Sequence, residues 1–135
     1  MKKNLYYFLT FIFLLLVVVS IPSCKKDKCK AGTGGSLTLK LKTMHHDKYV
    51  YGLTVSLKFN TQDFPGEFGS YDISKTAGAH DSTLTFTGLQ CGDYYIYGKG
   101  VDSTNTSTNK TVKGGIPFST AQGEGTIEQV LSVTE

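Results

Sequence analysis

Hydrophobic and polar residues alternate with a period of two in several short segments of the chain. In an extended strand this alternation places every second side chain on the same face, and apolar residues on that face are expected to be buried. The segments that show it are residues 37–42, 53–59, 84–86, 94–98 and 127–133. No stretch of useful length shows the 3.6-residue period of an amphipathic helix. The pattern therefore predicts an all-β domain.

Turn-forming residues separate these predicted strands. Clusters of Gly, Asn, Asp, Pro and Ser fall at residues 60–66, 88–93, 103–110 and 122–125. Short strands at this spacing, in a chain that contains 15 Gly, are typical of two packed sheets. We predict a single Greek-key β-sandwich of about seven strands at residues 36–135.

The first part of the chain has a different pattern. Two Lys residues precede an apolar run at residues 5–21, which is the layout of a helical secretory signal peptide. Residues 21–24, Ile-Pro-Ser-Cys, resemble the lipobox of bacterial lipoproteins. The resemblance implies that residues 1–23 are removed and that Cys24 carries an acyl (palmitate-type) lipid anchor. An uncleaved membrane helix is the alternative.

Residues 24–35 connect the predicted anchor to the predicted sandwich and are rich in Lys and Gly. The Lys residues could attract anionic lipid headgroups, at about 1 kcal/mol each, or could simply keep the segment solvated. The Gly residues give the segment flexibility. We predict a flexible tether that holds the domain at the bacterial cell envelope, on the outer membrane.

The charge balance of the mature chain argues against a nucleic-acid partner. The chain contains no Arg, and its 14 Lys less the two in the signal leave 12 against 11 acidic residues, an excess of one. Domains that bind nucleic acid normally carry a basic patch and use Arg to contact phosphates and bases. We therefore predict no nucleic-acid partner.

Residues 86–96 carry a recognisable turn and strand motif. Their sequence, FTGLQCGDYYI, is similar to the Phe-x-Gly-Leu-x-x-Gly-x-Tyr-x-Val motif of transthyretin-like (prealbumin-like) sandwiches, which include carboxypeptidase regulatory-like and Cna B-type domains. Where that family often has Pro in the turn, this chain has Gln90 and Cys91. The resemblance implies an accessory or binding module. The family's self-crosslink would use Lys40 or Lys42 but lacks an Asn near the C-terminus, and its purine-pathway hydrolase needs an Arg.

Aromatic residues mark a candidate binding surface. If Tyr94 and Ile96 face the core, Tyr95, Tyr97 and Lys99 lie on the outer face of the same strand. Such side chains suit an envelope protein or a glycan, although aromatic pairs also stabilise a sheet without any ligand. Further aromatic residues lie in or near loops, and some are expected in the core: Tyr49, Tyr51, Phe64, Phe68 and Tyr71.

An enzyme would have to be built from His45, His46 and His80. Adjacent His45 and His46 point to opposite faces of an extended segment, so both could bind one metal ion only if a turn separated them. We interpret the three as ordinary loop residues and predict no catalytic residue, metal or cofactor.

Three cysteines and two serines are candidates for modification. If lipid consumes Cys24, then Cys29 and Cys91 remain as an even pair in an exported chain, where thiols oxidise. We predict a disulfide between them; the competing possibility is that the flexible tether keeps Cys29 away. Ser82 and Ser103 each follow Asp and precede Thr, which resembles a bacterial O-glycosylation signal, although these residue types also simply form turns.

These features predict a lipid-anchored cell-envelope β-sandwich that acts as a non-catalytic binding or scaffolding module. One alternative is a carbohydrate-binding accessory lipoprotein, which bound glycan at Tyr95 and Tyr97 would favour. The other is a small metal-dependent hydrolase, which a stoichiometric metal at His45, His46 or His80 would favour.

Overall fold

A computed structural model describes residues 29–102 and 109–135 of the chain. Within those ranges it contains eight strands and no helix, which confirms the predicted all-β fold. The strands are β1 (Thr33–His45), β2 (Lys48–Tyr49), β3 (Thr54–Phe59), β4 (Ile73–Thr76), β5 (Thr83–Leu89), β6 (Gly92–Asp102), β7 (Lys110–Thr120) and β8 (Glu124–Ser132). The predicted signal peptide and Cys24 lie outside the described residues. The described part has no helix long and apolar enough to cross a membrane.

The first sheet is built around β1. Strand β5 pairs with β1 in antiparallel orientation, with Leu84 opposite Leu41. Strand β8 also pairs with β1, but in parallel orientation, with Ile127 opposite Leu39. The short β2 pairs antiparallel with the end of β1. Strand β1 is therefore the central strand of this sheet.

The second sheet has the strand order β4-β3-β6-β7, and all its neighbouring strands are antiparallel. The chain crosses between the two sheets after β2, β4, β5 and β7. The result is the predicted β-sandwich, with eight strands where we predicted about seven.

Inward-facing side chains of the two sheets form one hydrophobic core. Each fully buried aliphatic or aromatic side chain contributes about 1.5–3 kcal/mol relative to an exposed one. The largest fully buried side chains are Tyr94, Phe86, Leu37, Leu39, Leu41, Leu53, Leu57, Leu89, Ile96, Leu131, Val50 and Val55. These include most of the apolar positions in the period-two segments of β1, β5 and β6, and Leu84 of β5 is 5% exposed.

The segment before β1 packs on the sandwich. Ala31 is buried, and the Gly32 carbonyl accepts a hydrogen bond from the Gln90 amide at 3.0 Å. The hydroxyl of buried Tyr94 donates to the Gln90 carbonyl and accepts a hydrogen bond from the Gly32 amide at 3.3 Å. Strand β1 accordingly starts ahead of the predicted domain boundary at Ser36.

A disulfide joins this segment to the turn that opens β6. The Cα atoms of Cys29 and Cys91 lie 5.2 Å apart, and the predicted pairing is confirmed. Gly92 follows with a φ of 140°, and a Cβ there would lie 2.2 Å from the backbone nitrogen of Ala31. The absence of a side chain at Gly92 therefore lets the two backbones meet.

Candidate functional site: an aromatic groove beside β6

Tyr95, Tyr97 and Lys99 project from the outer face of β6, where the alternation placed them. Their neighbours Tyr94 and Ile96 are fully buried in the core. Tyr97 nevertheless is only 6% exposed, and Tyr95 is half-buried. The candidate binding surface is therefore not exposed at Tyr97, because the loop between β3 and β4 covers this residue.

The covering loop, residues 60–72, contributes its own aromatic side chains. The Phe64 ring centroid lies 5.5 Å from that of Tyr95 and 5.3 Å from that of Tyr97. Tyr71 stacks on Tyr97 at 5.8 Å. None of the loop aromatics that we expected in part to be core belongs to the core cluster. Phe64 is 51% exposed and Phe68 is 94% exposed, because these residues lie on the outer side of the second sheet.

A groove of about 220 Å³ opens between this loop and the sheet. It is lined by Phe64, Glu67, Tyr95, Tyr97, Lys113, Gly114 and Gly115. Gly115 lies opposite Tyr97 in the β6–β7 register, and a Cβ there would lie 2.6 Å from Cε1 of Tyr95. The missing side chain at Gly115 therefore makes room for the Tyr95 ring along the groove floor.

Glu67 ties the loop to two strands of the sheet. Its Oε1 accepts a hydrogen bond from Nζ of Lys99 at 2.6 Å, and its Oε2 accepts one from Nζ of Lys113 at 3.0 Å. These two bonds hold the pKa of Glu67 below its usual range, and the bond to Glu67 raises the pKa of Lys99. Lys99 also lies over the Phe68 ring, 5.7 Å from its centroid. Two ammonium groups share a single carboxylate, which leaves an excess of positive charge.

The hydroxyls of Tyr97, beneath the loop, and of Tyr71, within it, lie in a poorly solvated environment. Burial raises the pKa of Tyr97, and the nearby Glu67 carboxylate raises it further. The Tyr97 hydroxyl is buried and has no hydrogen-bond partner within the described ranges. Burial also raises the pKa of Tyr71 to about 12, and its hydroxyl donates to the Gly66 carbonyl at 2.9 Å.

The predicted histidines lie at the far end of β1 from the disulfide. Nδ1 of His45 is 2.7 Å from Oδ2 of Asp102, and both residues are 6% exposed. The His46 ring stacks on His45 at 4.0 Å, so the expectation that the two side chains point to opposite faces is wrong. The cause is the turn at His46, whose φ is 46°. His80 is exposed in the loop between β4 and β5. In the part of the chain that the structure describes, no group of three or more His, Cys, Asp and Glu could hold a metal ion.

Of the candidate glycosylation and lipidation residues, the structure describes only Ser82. Ser82 lies just before β5, and its carbonyl accepts a hydrogen bond from the Thr43 amide at 2.9 Å. Ser103 and Cys24 lie outside the described residues. Glycosylation and lipidation at these positions stay predictions.

Sequence reasoning missed Glu67, Lys113 and Gly115 as parts of the site. Glu67 and Lys113 are 46 residues apart and meet because the loop folds over the β6–β7 pair. The aromatic residues of the loop could be recognised in the sequence, whereas nothing in the sequence around Glu67 or Lys113 indicated a site. No protein-family model, no curated protein and no solved structure matches the chain.

Proposed function

We propose that this protein is a lipid-anchored lipoprotein of the bacterial cell envelope whose β-sandwich is a non-catalytic binding module. The observation that carries the proposal is the groove beside β6, where a half-exposed Phe64 ring faces Tyr95 and the Glu67–Lys113 ion pair. Ligand sites typically combine an apolar, aromatic lining with a few polar groups. Aromatic residues exposed in this way are also enriched at interfaces between proteins.

The lipobox-like residues 21–24 support the lipid anchor. The disulfide indicates where the groove would lie relative to that anchor. Cys29 is five residues after Cys24, and five extended residues reach at most about 18 Å. Because Cys29 is bonded to Cys91 at the start of β6, a lipid on Cys24 would keep the groove close to the membrane surface. The ligand would then be an envelope component.

The motif at residues 86–96 supports a transthyretin-like sandwich within this proposal. It forms most of β5, the turn and the first half of β6, and Gly88 in it has a φ of 74°. A carbohydrate ligand is the second candidate, favoured by the aromatic rings that Phe64, Tyr95 and Tyr97 present together. No observation on the described residues favours a hydrolase at His45, His46 and His80, which stays a prediction from the sequence.

Two variants of the same loop test the groove. Phe64→Ala removes one wall of the groove, whereas Phe68→Ala removes an aromatic side chain that does not line it. Full-length protein and both variants, purified in detergent, are mixed with envelope material of the producing bacterium, and the bound fraction is measured by sedimentation. We expect the wild type and Phe68→Ala to bind and Phe64→Ala to bind about tenfold more weakly, a loss of about 1.4 kcal/mol.

Circular dichroism of each variant checks that the fold is retained. Equal binding by the wild type and Phe64→Ala, or no binding by the wild type, would contradict the proposed site.

The anchor is tested by Cys24→Ser, with Cys29→Ser as the matched control. We expect the wild type and Cys29→Ser to begin at Cys24 and carry lipid, and Cys24→Ser to keep its signal peptide and carry none, because the thiol is the acyl acceptor. Intact-mass measurement distinguishes these products. A wild-type protein that begins at Met1 without lipid would refute the anchor.

A further inference from the structure

The groove offers hydrogen-bond donors that Glu67 leaves free. An ammonium group has three donors, and Lys113 directs one of them to Glu67. The Lys113 side chain is 51% exposed and lines the groove. A carboxylate on a ligand could therefore bind Lys113 without displacing Glu67, and the excess positive charge from Lys99 and Lys113 favours it.

The aromatic rings form a wall on which an apolar face can rest. The Phe64 ring is inclined by 40° to Tyr95 and by 38° to Tyr97, so the three rings do not close into a flat stack. One face of a pyranose ring presents C–H bonds, while its hydroxyls project around the edge. The negative face of an aromatic ring attracts such weakly positive hydrogens. A sugar ring thus matches this wall and leaves its hydroxyls for polar partners.

The size of the groove and the buried Tyr97 hydroxyl fit one sugar ring of a longer saccharide chain. The groove volume of about 220 Å³ is below the roughly 300–1,000 Å³ of pockets that enclose a drug-sized ligand. Tyr97 lines this groove with a buried hydroxyl that has no partner in the described ranges. Buried donors are normally paired, and a ligand oxygen that reaches this hydroxyl through a small shift of Phe64 would pair it.

We infer that the groove binds an acidic saccharide, a sugar chain whose uronic acid carboxylate pairs with Lys113 while its ring packs on Phe64 and Tyr95. This inference rests on the proposed binding function of the same groove and names its ligand class.

Isothermal titration calorimetry of the full-length protein in non-ionic detergent tests the inference. The probes are trisaccharides of galacturonic, glucuronic and mannuronic acid, each compared with its own methyl ester, which keeps the ring and hydroxyls but removes the charge. We expect at least one acid to bind about tenfold or more tightly than its ester. Raising the salt concentration to about 0.5 M should weaken binding of the acid, because salt screens exposed charges.

Lys113→Gln should lose the preference for the acid and bind the ester as the wild type does. Lys110→Gln is the matched control, because Lys110 is an exposed lysine of the same strand that pairs with Glu135 outside the groove. Equal affinity for every acid and its ester, or an unchanged preference in Lys113→Gln, overturns the inference. Envelope binding that depends on Phe64, together with no binding of any trisaccharide, overturns the inference and leaves the proposed function standing. If envelope binding depends on Phe64 and the bound partner proves to be a protein, the inference is likewise overturned and the proposed function stands.

Discussion

Tyr71 of the 60–72 loop stacks on Tyr97 of β6, with an interplanar angle of 16°. Neither ring belongs to the core between the sheets, yet burial raises the pKa of both hydroxyls. The Tyr71 hydroxyl donates to the Gly66 carbonyl, which only the neutral phenol can do. The hydrogen bond that closes this loop on itself therefore depends on Tyr71 remaining protonated.

We expect the loop to loosen as the pH rises from about 10 to 12. The pKa of Tyr71 is raised to about 12, first by burial and then by Tyr97 and Tyr95, whereas that of an unfolded tyrosine is about 10. A raised pKa means that the stabilisation is complete below about pH 10 and is lost as the pH rises through about 12. Ultraviolet absorbance of tyrosinate should show a late-titrating phenol that is missing in Tyr71→Phe.

Tyr51→Phe is the control for this titration, because Tyr51 lies outside the loop and the groove. It should leave the late titration unchanged. An unchanged late titration in Tyr71→Phe would show that another phenol is responsible for it.

At the scale of the strands, the sequence predicts those elements whose apolar residues alternate. Strand β1 has Leu37, Leu39 and Leu41 on one face and polar residues between them, and all three are fully buried. Strand β7 was not predicted, because Gly114, Gly115 and Pro117 interrupt the alternation. Proline removes a backbone donor and is normally confined to edge strands. Strand β7 has a full partner on one side, β6, and on the other a single bridge to Thr134, which follows β8, so it fits that rule.

The candidate site was predictable in one half and not in the other. Alternation along β6 placed Tyr95 and Tyr97 on the outer face, since neighbouring side chains of a strand point to opposite sides. The cover over Tyr97 depends on the 60–72 loop, which has no periodic pattern and is fixed by long-range contacts. The bonds from Glu67 to Lys99 and Lys113 require the β6–β7 pair to be in register. Without β7 the groove has no second wall, so a sequence analysis that misses this strand also misses the groove.

At the scale of the whole molecule, several contacts hold the first described residues at one end of the sandwich. The Asn60 side-chain amide donates to the Ala31 carbonyl at 3.2 Å, and Cys29 of the disulfide comes two residues before Ala31. The chain therefore enters the sandwich at the end where β6 begins. The buried His45–Asp102 pair lies at the other end of β1. A lipid on Cys24 would direct this pair away from the membrane and leave the groove on the side of the domain.

Counting cysteines was enough to predict the Cys29–Cys91 bond, but not the packing that accompanies it. The sequence around Cys29 is rich in Lys and Gly and has no apolar alternation, so it indicated a free tether. Ala31 is nevertheless buried, because Gly92 lets the backbone of this segment approach β6. The packing is decided by the missing side chain at Gly92, which no strand pattern reveals.

Reduction of the disulfide is expected to lower the free energy of unfolding by about 2–4 kcal/mol. The bond spans a sequence separation of 62 residues, for which the chain-entropy model gives roughly 4 kcal/mol. This full loss applies if the hydrogen bonds at Gly32 and Tyr94 hold the reduced segment on the sandwich, whereas the loss falls below it if the reduced segment detaches and the reduced native state gains conformational freedom. Urea unfolding of full-length protein, followed by circular dichroism before and after reduction and alkylation, measures the difference.

Alkylation without reduction is the control and should leave the midpoint unchanged, because the sulfur atoms of a disulfide do not react with the alkylating reagent. Two alkylated cysteines in that control would show that the bond is absent, and equal midpoints after reduction would contradict the predicted loss of stability.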